Sequence, residues 1–135
     1  MTAIDTNIIV YAFDTAYAQK RKVCRTILQE VFEGKKQGVV TNQILAEFAY
    51  VVTRKIEKPL SKNEVRAIIA SILNSSNWKV YNYKGDSVFH AILSEQSFWD
   101  ALIVQPLKEN NVPEIITENV KDFVGTGINA KNPLS

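Results

Sequence analysis

Short apolar runs that alternate with helix-length amphipathic stretches constrain this chain more than any other feature. The first example is the most telling. Ala3-Ile4 meets Asp5, passes two small polar residues, then turns apolar again through Ile8-Ile9-Val10. The first run is too short for a helix and suits a buried strand; the second suits a helix packed on a sheet. Thr6 and Asn7 favour a helix start, because their side chains can bond the free backbone N–H groups there. Asp5 then falls just past the carboxyl end of a strand, where open α/β sheets form their ligand crevices. The plainer alternative is that Asp5 only caps a helix.

The pattern continues down the chain. Val23, Ile27, Leu28, Val31 and Phe32 fall at helical spacing, and Gly34 and Gly38 end that helix. Val39-Val40 reads as a second buried strand. Thr41 or Asn42 caps a helix from about Gln43 to Ile56, which Pro59 stops. Ser61 with Glu64 forms a capping box ahead of a helix whose apolar face is Val65, Ile68, Ile69 and Ile72. Trp78 to Tyr83 alternates like a strand near a sheet edge. A short helix around Val88 to Leu93 precedes a longer one from Ser97 to Lys108. Glu114 to Thr117 reads as a further strand, with Asn119 to Phe123 after it, and a last short strand falls near Ile128. Strands alternating with helices predict a mainly parallel sheet covered on both faces.

At 135 residues the chain reads as one domain, residues 1–135, large enough to bury a real core. Its net charge of +2 supplies no strong field toward nucleic acid, so any such binding must come from local clusters. The clusters are Lys20, Arg21, Lys22 and Arg25, and Arg54, Lys55 and Lys58. A lone cysteine, Cys24, excludes an internal disulfide and fits a reducing compartment. No signal peptide is read at the first residues, and no apolar run nears the ~20 residues that cross a bilayer. The expectation is a cytoplasmic protein with no membrane partner.

The informative residues are acids in apolar surroundings. Glu47 shares a helical face with Ile44, Phe48 and Val51, and Asp100 precedes Ile103, Val104 and Leu107 at helical spacing. A carboxylate facing a core is costly unless it is paired, protonated or bound to a cation. Each has an ordinary alternative: an edge salt bridge for Glu47, and for Asp100 a capping box reaching back to the Ser97 N–H. Three such acids, Asp5, Glu47 and Asp100, each at or near a helix start, suggest one crevice whose repulsion a divalent cation relieves. Oxygen ligands favour Mg²⁺ or Mn²⁺. With one histidine, His90, and one cysteine, a zinc site or His-dependent nucleophilic chemistry is nearly excluded.

These residues carry a resemblance. Asp5-Thr6-Asn7-Ile8-Ile9-Val10-Tyr11, then Ala46-Glu47-Phe48, then Ser97-Phe98-Trp99-Asp100-Ala101-Leu102-Ile103, then Ile116 to Phe123, resemble the PIN-domain nucleases in the family's order, and within them the VapC-type toxins. The resemblance implies an α/β/α sandwich with a central, mainly parallel sheet. It implies an endoribonuclease dependent on Mg²⁺ or Mn²⁺, acting on RNA as the toxin of a toxin–antitoxin pair. It also implies a small antitoxin partner and a homodimer, for which the apolar helices near Val51 or Ile68 are candidates. By motif position, Asp5, Glu47 and Asp100 carry over as catalytic, metal-binding acids, and Asn7 and Thr117 as supporting polar residues. The family often has an aspartate where this chain has Asn119, a weaker ligand for want of charge. Glu118 or Asp122 is the candidate replacement. Two other classes remain open: a catalytically weak PIN-like module that binds a protein or RNA, and a phosphate-handling α/β enzyme with Asp after its first strand.

Overall fold

The computed structural model describes residues 1–135. Five strands form one all-parallel sheet: β1 (Thr2–Ile4), β2 (Gly38–Thr41), β3 (Trp78–Tyr81), β4 (Glu114–Ile116) and β5 (Asn129–Lys131). Six helices connect them: α1 (Thr6–Tyr11), α2 (Ala18–Phe32), α3 (Asn42–Arg54), α4 (Lys62–Asn74), α5 (Gly85–Ala91) and α6 (Phe98–Glu109). A 3-10 turn covers Val120–Phe123. The strand order is β3-β2-β1-β4-β5. Thr2 pairs with Gly38 on one side and with Glu114 on the other, which makes β1 the central strand.

This order fixes where the helices go. Parallel strands need crossovers, and crossovers are right-handed. The chain steps outward from β1 to β2 to β3, so α1 to α4 gather on one face. It then returns across β1 to β4, which sends α5 and α6 to the other. The packing agrees: α1 lies against α2 and α3, α3 against α4, and α5 against α6. The direction reverses at β1 and β4, and a sheet opens a crevice at that point. The core between the layers is built from fully buried Ile4, Ile8, Ile9, Val39, Val40, Ile44, Phe48, Leu107 and Ile115.

Local chemistry sets the ends of these elements. Thr41 caps α3 by accepting from Ile44 N–H, and the Ser61–Glu64 capping box of α4 is formed in both directions. Gly34, at φ +81°, ends α2, with the Gly34 and Lys35 amides donating to Val31 and Glu30. Gly38 does not end α2; it opens β2. A Cβ there would lie 2.7 Å from Val31 Cγ1 and 2.9 Å from the Trp78 ring, so glycine lets α2 and β3 close over the strand. β3 stops at Tyr81 and is an edge strand, as its alternation suggested. α5 starts at Gly85, earlier than its apolar residues announced. No helix is long and apolar enough to cross a membrane.

Candidate active site

At the carboxyl ends of β1 and β4, beside the starts of α1 and α6 and the middle and carboxyl end of α3, lies a cleft of about 400 Å³. Asp5, Glu47 and Asp100 all line it, as do Asp14, Asn119 and Asp122. Residues far apart in the chain meet here because α1 and α6 begin, and α3 passes, at the same edge of the sheet.

Asp5 is the fixed point. It is buried and is the N-cap of α1, its Oδ1 accepting from the Thr6 N–H at 2.8 Å. Its Oδ2 accepts from the Thr117 hydroxyl at 2.8 Å. That hydroxyl in turn accepts from Asn119 N–H at 3.0 Å and from the Asn7 amide at 3.4 Å, which uses all its bonding capacity. The Asn7 carbonyl accepts from Glu118 N–H. Asp5 therefore does cap a helix, and the same bonds hold its carboxylate at the cleft. Asn7 and Thr117 fix its rotamer across the β1–β4 junction.

Burial pushes Asp5 above the usual carboxylate range; the two hydrogen bonds offset this in part, and Asp100 and Asp122 add to it. Glu47 stands at the open mouth of the cleft. Its side chain is exposed, yet desolvation by the walls raises it, the Gln43 amide pulls it back, and Asp5 and Asp100 push it up again. Asp122 is raised by burial and then by Asp100. None of Asp5, Glu47, Asp100 and Asp122 forms an ion pair; the four ion pairs of the chain lie elsewhere. The edge salt bridge that offered an ordinary account of Glu47 is absent.

Asp100 does not reach the Ser97 N–H. Its Oδ2 accepts from the Ser97 hydroxyl at 2.7 Å, and its own N–H donates to that oxygen at 3.2 Å, so the box is only half formed. Glu118 does not serve as the spare acid with its carboxylate. That group is bound by Lys20 at 2.9 Å and by the Tyr11 hydroxyl at 2.8 Å. Although burial raises it, these two partners hold it below its ordinary value, while Lys20 is pushed up to about 12, chiefly by Glu118. Asp122, the other candidate, is the acid in the cleft. Asp14 is also there, its Oδ1 accepting from Ala16 N–H; in the sequence it reads as a turn residue, and nothing sets it apart.

The basic clusters divide in the same way. Lys20 is paired, and Arg25 donates to the Ala12 carbonyl at 2.8 Å, so the α2 cluster ties α2 to α1. Lys55, from the other cluster, lines the cleft. His90 is exposed on α5, and Cys24 is packed in the core, where burial pushes its thiol up to about 11. Val51 lines the cleft, and Ile68 is half-buried against the core. Exposed apolar side chains sit at Tyr50 on α3, Leu73 on α4, Phe89 on α5, and Ile92 and Leu93 just past the end of α5.

The cleft suits a hard cation in its donor set, which is all oxygen, and in its charge, which no lysine or arginine neutralises by direct pairing. The buried Thr6 Oγ1, on the same wall, has no hydrogen-bond partner. No three of the acids converge into a ready-made cage. They act on one another through their charge, and closing on an ion needs side-chain adjustment at Glu47 and Asp100, the two less firmly held.

Comparison with known proteins agrees with this geometry. Residues 2–121 match the family model described as the PIN domain. The VapC20 toxin of Mycobacterium tuberculosis, described as cleaving the sarcin–ricin loop, superposes with a TM-score of 0.62 at 14% identity, covering 85% of this chain and 87% of that one. VapBC2 of Rickettsia felis, bound to a DNA fragment from its promoter, gives 0.64 at 17% identity and 97% of both chains. FitAcB of Neisseria gonorrhoeae gives 0.65 at 15% identity and 98% of both. Among curated proteins none matches in sequence. With the family model spanning nearly all of the chain and the fold shared with these structures, the chain belongs to the PIN-domain family.

Proposed function

We propose that this chain is an endoribonuclease dependent on Mg²⁺ or Mn²⁺ and the toxin of a toxin–antitoxin pair. One observation carries the reading: Asp5, Glu47, Asp100 and Asp122 share a cleft at the β1–β4 junction with no cationic partner. Family membership gives it its chemical sense, and the fold shared with VapC20, a cleaving toxin by description, supports it.

Asp5, Glu47 and Asp100 would hold the ion, with Asp122 supplying the charge that Asn119 lacks. A bound Mg²⁺ or Mn²⁺ supplies neutralisation of the phosphate and a water acidic enough to attack it. The chain's own groups do the rest. Thr117 and Asn7 keep the Asp5 carboxylate in one orientation. Val51, Ile56 and Ile103 give the cleft one apolar wall. Lys55 draws the phosphate backbone toward an otherwise repulsive pocket.

The test is cleavage of structured and unstructured RNA with Mn²⁺, with Mg²⁺ and with chelator. Asp5→Asn and Glu47→Gln should each lower the rate by at least about a hundredfold while the fold is kept, a loss of roughly 3 kcal/mol in barrier height. Undiminished cleavage by both variants would end the reading.

The lack of a preformed cage favours a second reading, in which the domain is catalytically weak and works by binding a protein or RNA. Calorimetry separates the two: no heat of Mn²⁺ binding at millimolar ion by a folded chain supports the module. A small antitoxin is the proposed partner, because the VapBC2 and FitAcB structures share this fold. A homodimer is proposed as well. Phe89 near the end of α5, and Ile92 and Leu93 in the turn that follows, are each at least 66% exposed and form an apolar patch for a second copy.

A further inference from the structure

Beside the acidic cleft lies a second cavity of about 870 Å³ with a different character. Tyr50 of α3, Tyr83 after β3 and Trp99 of α6 give it aromatic walls, and Asn42 and Gln43 line it with amides. The two cavities share Glu47.

Gln43 is the unexplained residue. It is only 7% exposed, and its Nε2 donates to the Trp99 carbonyl at 3.1 Å, but its Oε1 accepts from nothing. A buried amide oxygen without a donor is unfavourable, and native structures seldom leave one so. Asn42 shows the contrast. Its Oδ1 accepts from both Gln43 N–H and Tyr83 N–H, so that amide is explained as a clamp that holds the Tyr83 loop to α3. Gln43 lines the cavity with this oxygen closed off from solvent beneath its surface, and a turn of the amide toward the cavity would let a ligand N–H complete it.

The aromatics point to the same kind of ligand. Trp99 is 63% exposed and Tyr50 51%, and no cation lies over the Trp99 ring. Arg54 and Lys55 lie over the Tyr50 ring, 4.6 and 5.5 Å from its centroid, and Lys55 also reaches the acidic cleft. Flat apolar walls, one buried acceptor and a cationic rim suit a planar base attached to a phosphate. A polypeptide side chain could fill the cavity, but it would not join it to the phosphate cleft through Glu47 as one nucleotide does.

We propose that this cavity takes an unpaired nucleobase of the RNA whose phosphate enters the acidic cleft, a reading that rests on the nuclease assignment. Trp99 stacks on the base with Tyr50 beside it, and the Gln43 amide, turned toward the cavity, accepts an N–H from the base edge through Oε1. Stacking on aromatic side chains is the usual means of holding single-stranded bases.

Tryptophan fluorescence of the full chain tests this. Trp78 is 4% exposed, so Trp99 is the ring that a ligand reaches. Ribonucleoside 5′-monophosphates, titrated in the presence of Mg²⁺, should quench it saturably, whereas ribose 5-phosphate should not. Gln43→Leu and the surface change Tyr50→Ala should each weaken binding by about tenfold, the weight of one hydrogen bond or one stacked ring. Equal effects of ribose 5-phosphate, or unchanged affinity in a folded Tyr50→Ala, overturn the proposal. So does emission that follows protein concentration rather than nucleotide, since a second copy would then cover the cavity. Quenching that responds only to an added basic peptide likewise gives the cavity to a protein partner. RNA cleavage measured in parallel keeps the two readings apart: cleavage without base-dependent quenching removes the pocket alone, and quenching without cleavage removes the nuclease alone.

Discussion

Thr117 does more for the cleft than any residue that bears a charge there. Its hydroxyl donates to Asp5 and accepts from Asn7 and Asn119, so one oxygen ties the start of α1 to the segment after β4. Thr117→Val keeps the shape and removes that oxygen. A buried carboxylate then loses a donor and two N–H groups lose an acceptor, which should lower stability by about 1–3 kcal/mol in denaturant unfolding. The bond also holds the Asp5 pKa down. Without it the carboxyl keeps its proton to higher pH, so the acid limb of the rate profile should move upward. A profile that stays in place would show that Asp5 need not ionise. These roles were only half legible. Asp5 was conspicuous beside an apolar run, but its bond to Thr117 spans 112 positions, and no local pattern records a contact made by sheet closure. Glu118 and Asp122 looked alike as loop acids; Lys20 and Tyr11, brought in by α1 and α2, decide which of them faces the cleft.

The elements were easier to read, since caps and periodicity are local. The Ser61–Glu64 box and the Thr41 cap formed as expected, because the donors and acceptors lie within one turn of each other. Gly38 was misjudged for the opposite reason. It resembles a helix terminator, but its need for a bare Cα comes from Val31 and Trp78, which pack over β2 from two other elements. Gly38→Ala should therefore destabilise the chain by about 1–3 kcal/mol, an overpacking cost that thermal or denaturant unfolding would register. The Lys20–Glu118 pair, in contrast, is partly exposed on both sides. Lys20→Met should leave denaturant unfolding nearly unchanged, and a clear loss of stability would mean that α2 depends on this contact more than its solvent access implies.

For the molecule as a whole, the cleft acids make stability depend on pH and on cation together. Asp5, Glu47 and Asp122 all have raised pKa values in the folded chain. Between the unfolded values, near 4, and the raised folded ones, the native state holds more protons, so stability falls as pH rises through that window. A cation bound at the cleft would replace the lost protons. Millimolar Mn²⁺ should therefore raise the melting temperature clearly at about pH 8 and little at about pH 4, where the carboxyls are protonated. Equal shifts at both would place the ion elsewhere. The apolar patch at the end of α5 belongs to this scale too: Leu93→Lys should turn a sedimenting dimer into a monomer without loss of helicity. The sequence by itself determined the order of strands and helices and the acids out of place among apolar residues, because hydrophobic period and capping act over a few residues. Only the tertiary structure decided which acids share a cleft, which lysines are already paired, and that Tyr50, Tyr83 and Trp99 enclose one cavity. Those facts follow from the reversal of strand order at β1 and β4, which brings distant helix starts to one edge of the sheet.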